Sequence, residues 1–531
     1  MSRDDTVAAG RGFLVITGAK VYFILTSTIL NFGLPRWLDP ARFGEFKVVN
    51  TFISILNMVV ITGSIQAIAK LIGEDEARSR RLRLQALQLQ ALVGGTIAGA
   101  LGIFAEPLCA LLFKDASLAP YLRIGAAVTF FYALYAVFIG LLNGLRRFAS
   151  QAKLDILFST LKLGLVLGLV VAGFGVLGAF VGFAGAAVLI VLASAVVAHR
   201  LPPRGPGEPV PARALVALLA PMLLSTLMMN LLFQLDILGL KGLVSDPIAA
   251  SLATPEGQDR IAWLLAPLGG TASPDLAVPL AAEAASRLAG LFGGAKNVSL
   301  VPYQATVALT FVSVPRVSRA TFDADRELAA RTVRQSLRFT GLISGLLCTA
   351  LMATARPVLD VLLGPSYGAG DQALLVLLAS TLGLAVLYLC ITVLNAAGMA
   401  GTALAVSTAT VALNGALLVL LLRTAPDLRE SVLLRAAIAT AGGVAGGLVL
   451  ALVLLWRRFG TIMPASTLAR VLVLGAALTA LASLWPISTL LGLVAKAGAV
   501  ALLFAAGLFV AGELTAGDRL AVRRILGRTS A

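Results

Sequence analysis

Three lysines sit where a lysine is expensive. Lys20, Lys162 and Lys496 each fall deep inside an apolar run. A charge at the bilayer centre costs at least about 2.5–3.5 kcal/mol on insertion scales. Such a side chain faces a wet cavity, a partner charge or an anionic ligand. No aspartate or glutamate lies equally deep in the sequence, so an anionic ligand is the economical partner. Lys20 is the first choice, because Gly18 and Ala19 beside it leave room for a bulky group. Lys162 stands evenly between a ligand contact and a structural role. Lys496 lies in the last apolar run, where a helix or lipid contact competes with a ligand.

Four further residues carry chemistry nearer the ends of apolar runs. Lys47 and Lys296 occupy matching places in the two halves of the chain. Either they line the mouth of a cavity or their ammonium groups snorkel to the interface. Asp236, with Asn230 one and a half turns earlier, is a candidate ligand for a coupling cation. A local ion pair from Asp236 to Lys241, five residues on, is the simpler reading.

Other chemistries find no support. The single histidine, His199, nearly removes imidazole catalysis and His-ligated metals. Cys109, Cys348 and Cys390 lie in or beside apolar runs with no CxxC spacing, which argues against a disulfide framework or a zinc site. Gly173-Phe174-Gly175-Val176-Leu177-Gly178 fits GxGxxG, but a dinucleotide site needs a strand before it, and here helices lie on both sides. No P-loop and no nucleophile–base pattern occurs. The reading is of a non-enzyme without cofactor or metal.

The elements that position these residues are membrane helices. The 531 residues are 59% hydrophobic and 13% charged, and the mean hydropathy is +0.94. Soluble domains carry about 25% charged residues, so this surface must face lipid. A spanning helix needs about 20 mostly apolar residues. Fourteen such runs appear, near 12–34, 44–70, 84–106, 122–142, 153–173, 175–198, 214–240, 289–314, 335–355, 372–396, 401–422, 434–456, 468–486 and 487–512. The N-terminal run is full length and lacks a small-residue cleavage site, so it reads as a first spanning helix rather than a signal peptide. The net charge of +16 concentrates in alternate loops, with clusters at Arg78–Arg83, Arg316–Arg338 and Arg519–Arg528. That asymmetry puts both termini in the cytoplasm. It explains the basic balance without nucleic acid.

The chain also repeats itself at an offset of about 250 residues. Ala105-Glu106-Pro107 resembles Ala355-Arg356-Pro357, Phe43-Gly44 with Lys47 resembles Phe292-Gly293 with Lys296, and Leu142-Asn143-Gly144 resembles Leu394-Asn395-Ala396. The expected fold is all-α: two six-helix lobes, residues 1–213 and 214–456, followed by two extra helices and a basic tail, 457–531. Transporters built from such halves bind substrate between them. Lys241 reads as the end of the seventh helix. The Ala-, Pro- and Gly-rich residues 244–286 then form an insertion outside the membrane, either a small cap or loop or a docking surface.

Leu34-Pro35-Arg36 before Phe43-Gly44-Glu45-Phe46, Leu142-Asn143-Gly144 before Arg146-Arg147-Phe148, and Pro315-Arg316-Val317-Ser318 carry a family resemblance. In order and placement they resemble the multidrug/oligosaccharidyl-lipid/polysaccharide exporter superfamily, most closely its Wzx-type polysaccharide flippases. The resemblance implies a polyprenyl-pyrophosphate-linked oligosaccharide as substrate and alternating access as mechanism. It implies membrane lipid, polysaccharide polymerase and glycosyltransferases as partners, and the bacterial inner membrane as location. In related lipid II flippases, basic residues of the first helix meet the pyrophosphate, and Lys20 matches that pattern. A multidrug cation antiporter and a lipid II flippase are the alternatives. A cation exporter places buried carboxylates in its cavity, opposite in sign to the lysines seen here.

Overall fold

A computed structural model of the chain describes residues 3–76, 79–201, 212–268, 277–307, 326–423, 431–487 and 489–513. Arg78, the Pro315-Arg316-Val317-Ser318 marker, Arg319, part of the insertion (269–276) and the basic tail after Glu513 lie outside the described residues. Among the described residues the fold is all helical. The helices are α1 (Arg3–Trp37), α2 (Pro40–Glu74), α3 (Ser79–Ile103), α4 (Ala105–Leu112), α5 (Ala119–Gly144), α6 (Phe148–Leu169), α7 (Gly175–His199), α8 (Ala212–Leu252) and α9 (Pro255–Leu265). There follow α10 (Ala277–Ser299), α11 (Arg326–Met352), α12 (Ala355–Val358), α13 (Asp371–Ala396), α14 (Ala400–Arg423), α15 (Ser431–Phe459), α16 (Ala465–Ser483) and α17 (Leu490–Val510).

Among the described residues, the apolar runs of the sequence fall largely on helices. By length and composition, nine stretches among the described residues can cross a membrane, or ten if the bent pair at α11–α12 counts as one span. That pair turns by 79°. Residues 148–199 form one continuous apolar stretch, but it is bent. Gly173 (φ +93°) and Gly175 (φ +56°) hold left-handed backbone between α6 and α7, a conformation that costs glycine little. The GxGxxG match is therefore an interhelical turn. Beyond it, a Cβ on Gly182 would lie 2.6 Å from the Leu165 carbonyl oxygen, so the two helices pack backbone to backbone.

Local signals set the helix starts. Asp39 caps α2, its Oδ1 accepting from the N–H groups of Ala41 (2.9 Å) and Arg42 (3.1 Å), with Pro40 in the first turn. Thr254 caps α9 with Pro255 next to it, the same combination of side-chain acceptor and pre-set φ.

Two compact units emerge, residues 1–294 with 418–432, and 295–417 with 433–531. In the first, α2 lies against α5, with Gly140 against Ile68 and Gly144 against Ile72. Ile68, Ile72, Leu82, Val137, Phe138 and Leu141 form a core beside them. In the second, Leu342 of α11 packs with Val471 of α16 and with Phe504 and Leu508 of α17.

Lys241 does not end the seventh helix. It lies inside α8, which runs on to Leu252, and its ammonium is consumed by partners described below. The first residues of the expected insertion are helical, and α9 then packs against α8, with Ile261, Leu264 and Leu265 buried.

Candidate functional site

The Lys20 side chain projects from α1 and is 60% exposed. Its Nζ is 3.9 Å from Asp155 Oδ2 on α6, and the Asp155 side chain is 17% exposed. Tyr135 of α5 donates its hydroxyl to Asp155 Oδ1 at 3.2 Å. Next to this trio, Tyr22 and Thr160 share a 2.8 Å hydroxyl contact between α1 and α6. A carboxylate therefore does lie at the depth of Lys20, against the sequence reading. Asp155 is the third residue of the fifth apolar run, and α6, which starts seven residues before it, brings it beside Lys20. A separation of 3.9 Å is attraction without a hydrogen bond. The Lys20 ammonium keeps its donors for another acceptor.

Seven residues after Asp155, two helical turns or about 10 Å along α6, Lys162 places its Nζ 4.0 Å from the centre of the Phe183 ring on α7. Such a cation–π contact partly offsets the loss of water. Phe183 stacks edge-on with Tyr132, which packs edge-on with Phe158. Phe158 also packs against Tyr135. An aromatic cluster from α5, α6 and α7 thus bridges the surroundings of the two lysines. Lys162 is engaged within this helix packing rather than set beside Lys20.

A second constellation lies where α2 begins. Lys241 is fully buried and donates to Asp115 Oδ2 (2.9 Å), to the Ala282 carbonyl (2.5 Å) and to Ser286 Oγ (2.8 Å). The expected local pair with Asp236 is replaced by this one. The neighbouring Lys114 pairs in the opposite polarity with Asp246 of α8 at 3.5 Å, in the open. The loop after α4 is thereby fixed onto α8, where a Cβ on Gly242 would meet the Leu112 carbonyl at 2.7 Å. Alongside, Gly44 of α2 faces the Ser286 backbone and Gly290 of α10 faces the Pro40 backbone, too close in each case for a Cβ. Here α2 and α10 touch through main chain.

The remaining candidates are dispersed. Asp236 is fully buried and accepts from the Ile237 N–H at 2.9 Å; Asn230, half-buried, lies on the same helix. The aliphatic stem of Lys47 packs on Gly293. Lys296 is buried in α10. Lys496 is also buried and donates to the Trp485 carbonyl at 2.7 Å, closing the turn between α16 and α17. Among the described residues, no group of three or more His, Cys, Asp or Glu side chains is placed to hold a metal.

Three acids escaped the sequence reading. Asp155 carries a signal in hindsight, its seven-residue spacing from Lys162. Asp115 sits in a loop and Glu513 beyond the last helix, and neither has a local signal for the distant base it meets.

Residues 9–321 match the family described as polysaccharide biosynthesis protein. The chain belongs to that family. Solved structures share the fold of this polysaccharide biosynthesis protein at low identity. The lipid II flippase MurJ in an inward closed conformation superposes with a TM-score of 0.68 at 12% identity, over 93% of this chain and 98% of that one. An inward-facing multidrug resistance MATE family transporter of the MOP superfamily gives 0.63 at 16%, over 83% and 94%. A MOP superfamily transporter from Pyrococcus furiosus, described by the reverse polarity of its binding pocket, gives 0.52 at 16%, over 86% and 96%. No curated protein matches. The chain is thus a multi-pass membrane protein with the fold of the multidrug/oligosaccharidyl-lipid/polysaccharide transporters, as the short motifs implied.

Proposed function

We propose that this protein is a flippase for a lipid-linked oligosaccharide. It moves the sugar and its polyprenyl pyrophosphate head group from the cytoplasmic to the periplasmic leaflet of a bacterial inner membrane, with both termini in the cytoplasm. The observation that carries the reading is the Lys20 ammonium, exposed on α1 and only loosely matched by Asp155. A pyrophosphate is a stronger acceptor than one carboxylate at 3.9 Å, and charge-assisted hydrogen bonds to it lower the barrier to crossing. Membership of the polysaccharide biosynthesis family supports the substrate class.

In this account Lys20 holds the head group while the polyprenyl chain stays in lipid. The contacts around Lys241, Gly44 and Gly290 form the external closure and must part for release. An inside-negative potential favours outward movement of the anion by about 2.3 kcal/mol per charge per 100 mV. Asp236 and Asn230 are the candidates for a coupling cation. Lys47 and Lys296 are candidates for the wall of the path. Polymerase and glycosyltransferases act before and after it.

Asp155 favours a second reading, a cation antiporter, because it supplies a shielded carboxylate beside the path. Head-group flipping and cation transport, each measured in vesicles, separate the two. A flippase loses transport in Lys20→Ala and partly keeps it in Lys20→Arg, whereas a cation antiporter tolerates both and fails in Asp155→Asn.

A further inference from the structure

The second unit holds a cavity of about 410 Å³ where α11 begins, α16 begins and α17 has just ended. Its lining includes four arginines, Arg331, Arg334, Arg338 and Arg470, with Thr467 and a single carboxylate, Glu513. The carboxylate is used internally. Glu513 is 5% exposed and accepts from Arg338 Nε at 2.9 Å, from Thr467 Oγ1 at 2.6 Å and from Arg470 at 2.5 Å. Its main-chain carbonyl accepts from Arg338 as well. Glu513 therefore organises two guanidinium groups and does not neutralise the other two. Arg331 pairs with Glu327, one turn earlier, at an open surface, where such a pair is weak. Arg334 is exposed on the same face.

Two further features define what fits. The first turn of α16, a 19-residue helix, contributes Ser466 and Thr467 to the lining, and a helix start favours anions. The same helices continue directly from the arginines into exposed apolar side chains: Phe339 and Ile343 on α11, Leu468 and Leu472 on α16. A ligand seated here has a phosphate at one end and hydrocarbon at the other. Orientation alone explains arginines in a loop. It does not explain four of them gathered around a cavity, two of which, Arg338 and Arg470, are held by a carboxylate 175 and 43 residues away.

We infer that this cavity is a binding site for the phosphodiester head group of an acidic membrane phospholipid. The site is separate from Lys20 and does not depend on the flippase reading. Basic pockets between membrane helices bind acidic head groups in this manner.

The test uses the full-length protein, released from vesicles of phosphatidylcholine with and without phosphatidylglycerol, with retained lipid counted by native mass spectrometry. The variant Arg331→Gln with Arg334→Gln removes two exposed arginines and leaves the Arg338–Glu513–Arg470 cluster intact. The wild type is expected to retain phosphatidylglycerol over phosphatidylcholine, and the double variant to lose that preference by about tenfold. The paired Lys variants are expected to keep most of it. Melting in phosphatidylcholine is expected to be unchanged, which separates lost binding from lost folding. Equal retention of both lipids, or equal retention by wild type and double variant, overturns the proposal. So does displacement of phosphatidylglycerol by millimolar inorganic phosphate, which marks a free-phosphate site, or retention of a polyprenyl phosphate in its place.

Discussion

Lys241 Nζ lies 2.9 Å from the Asp115 carboxylate, with the lysine wholly buried and the aspartate 8% exposed. The pair joins the loop after α4 to α8, and the Ala282 carbonyl and Ser286 bring α10 into the same contact. Breaking a buried pair by removing one partner leaves the other charge stranded, at about 3–5 kcal/mol. Lys241→Met and Asp115→Asn are each predicted to lower the melting temperature strongly. The double variant is predicted to recover part of the loss, and a thermodynamic cycle on detergent-solubilised protein measures the coupling.

Main-chain contact at Gly44 and Gly290 leaves no space for a Cβ beside Ser286 and Pro40. Gly290→Ala is therefore predicted to open the end where α2 begins without touching the Lys20 region. A cysteine at Ala285, fully buried in the closed arrangement, reports this. Labelling by an impermeant maleimide is expected to rise several-fold in Gly290→Ala.

Glu513 gives the account a pH dependence. Burial pushes its carboxyl up, but hydrogen bonds from Thr467, Arg338 and Arg470, with the Arg338 charge, outweigh burial and hold it below the usual carboxylate range. The folded state thus binds its proton less readily than the unfolded state does. The stability this contributes is complete above the ordinary glutamate value of about 4.3 and is lost as pH falls through the lower folded value. Melting curves between neutral pH and pH 3 are predicted to fall more steeply for the wild type than for Glu513→Gln, which is less stable at neutral pH.

Lys496 closes the α16–α17 turn by its bond to the Trp485 carbonyl. A hydrogen bond from a charged donor contributes about 1.5–3 kcal/mol. Lys496→Met is predicted to lower the melting temperature while the apparent KM for the transported lipid stays unchanged. A raised KM with unchanged melting assigns Lys496 to the substrate instead.

Much of the fold was legible because helices must be continuous and apolar to cross a bilayer, and that pattern is local. Gly44 and Gly293, the glycines of the sequence match, are both closely packed, Gly44 against the Ser286 backbone and Gly293 against the Lys47 side chain. The pairing of charges was not legible. Lys241 lies five residues from Asp236 in sequence, yet its partner is Asp115, 126 residues away. Nor does the sequence mark Asp155, the third residue of an apolar run, as the carboxylate that α6 brings within 3.9 Å of Lys20. Spacing along a helix identifies what shares a face; it says little about which distant helix that face meets.

The most direct measurement of the central claim is flipping of a fluorescent polyprenyl-pyrophosphate sugar by protein reconstituted in vesicles. The variants are Lys20→Ala, Lys20→Arg and Asp155→Asn, each matched for amount and melting temperature. The account predicts flipping reduced at least about tenfold in Lys20→Ala, since a charge-assisted phosphate contact of about 1.5–3 kcal/mol is lost. It predicts partial activity in Lys20→Arg and retained activity in Asp155→Asn, whose loss frees the ammonium for the head group. Wild-type flipping by Lys20→Ala, or loss of transport confined to Asp155→Asn, contradicts it.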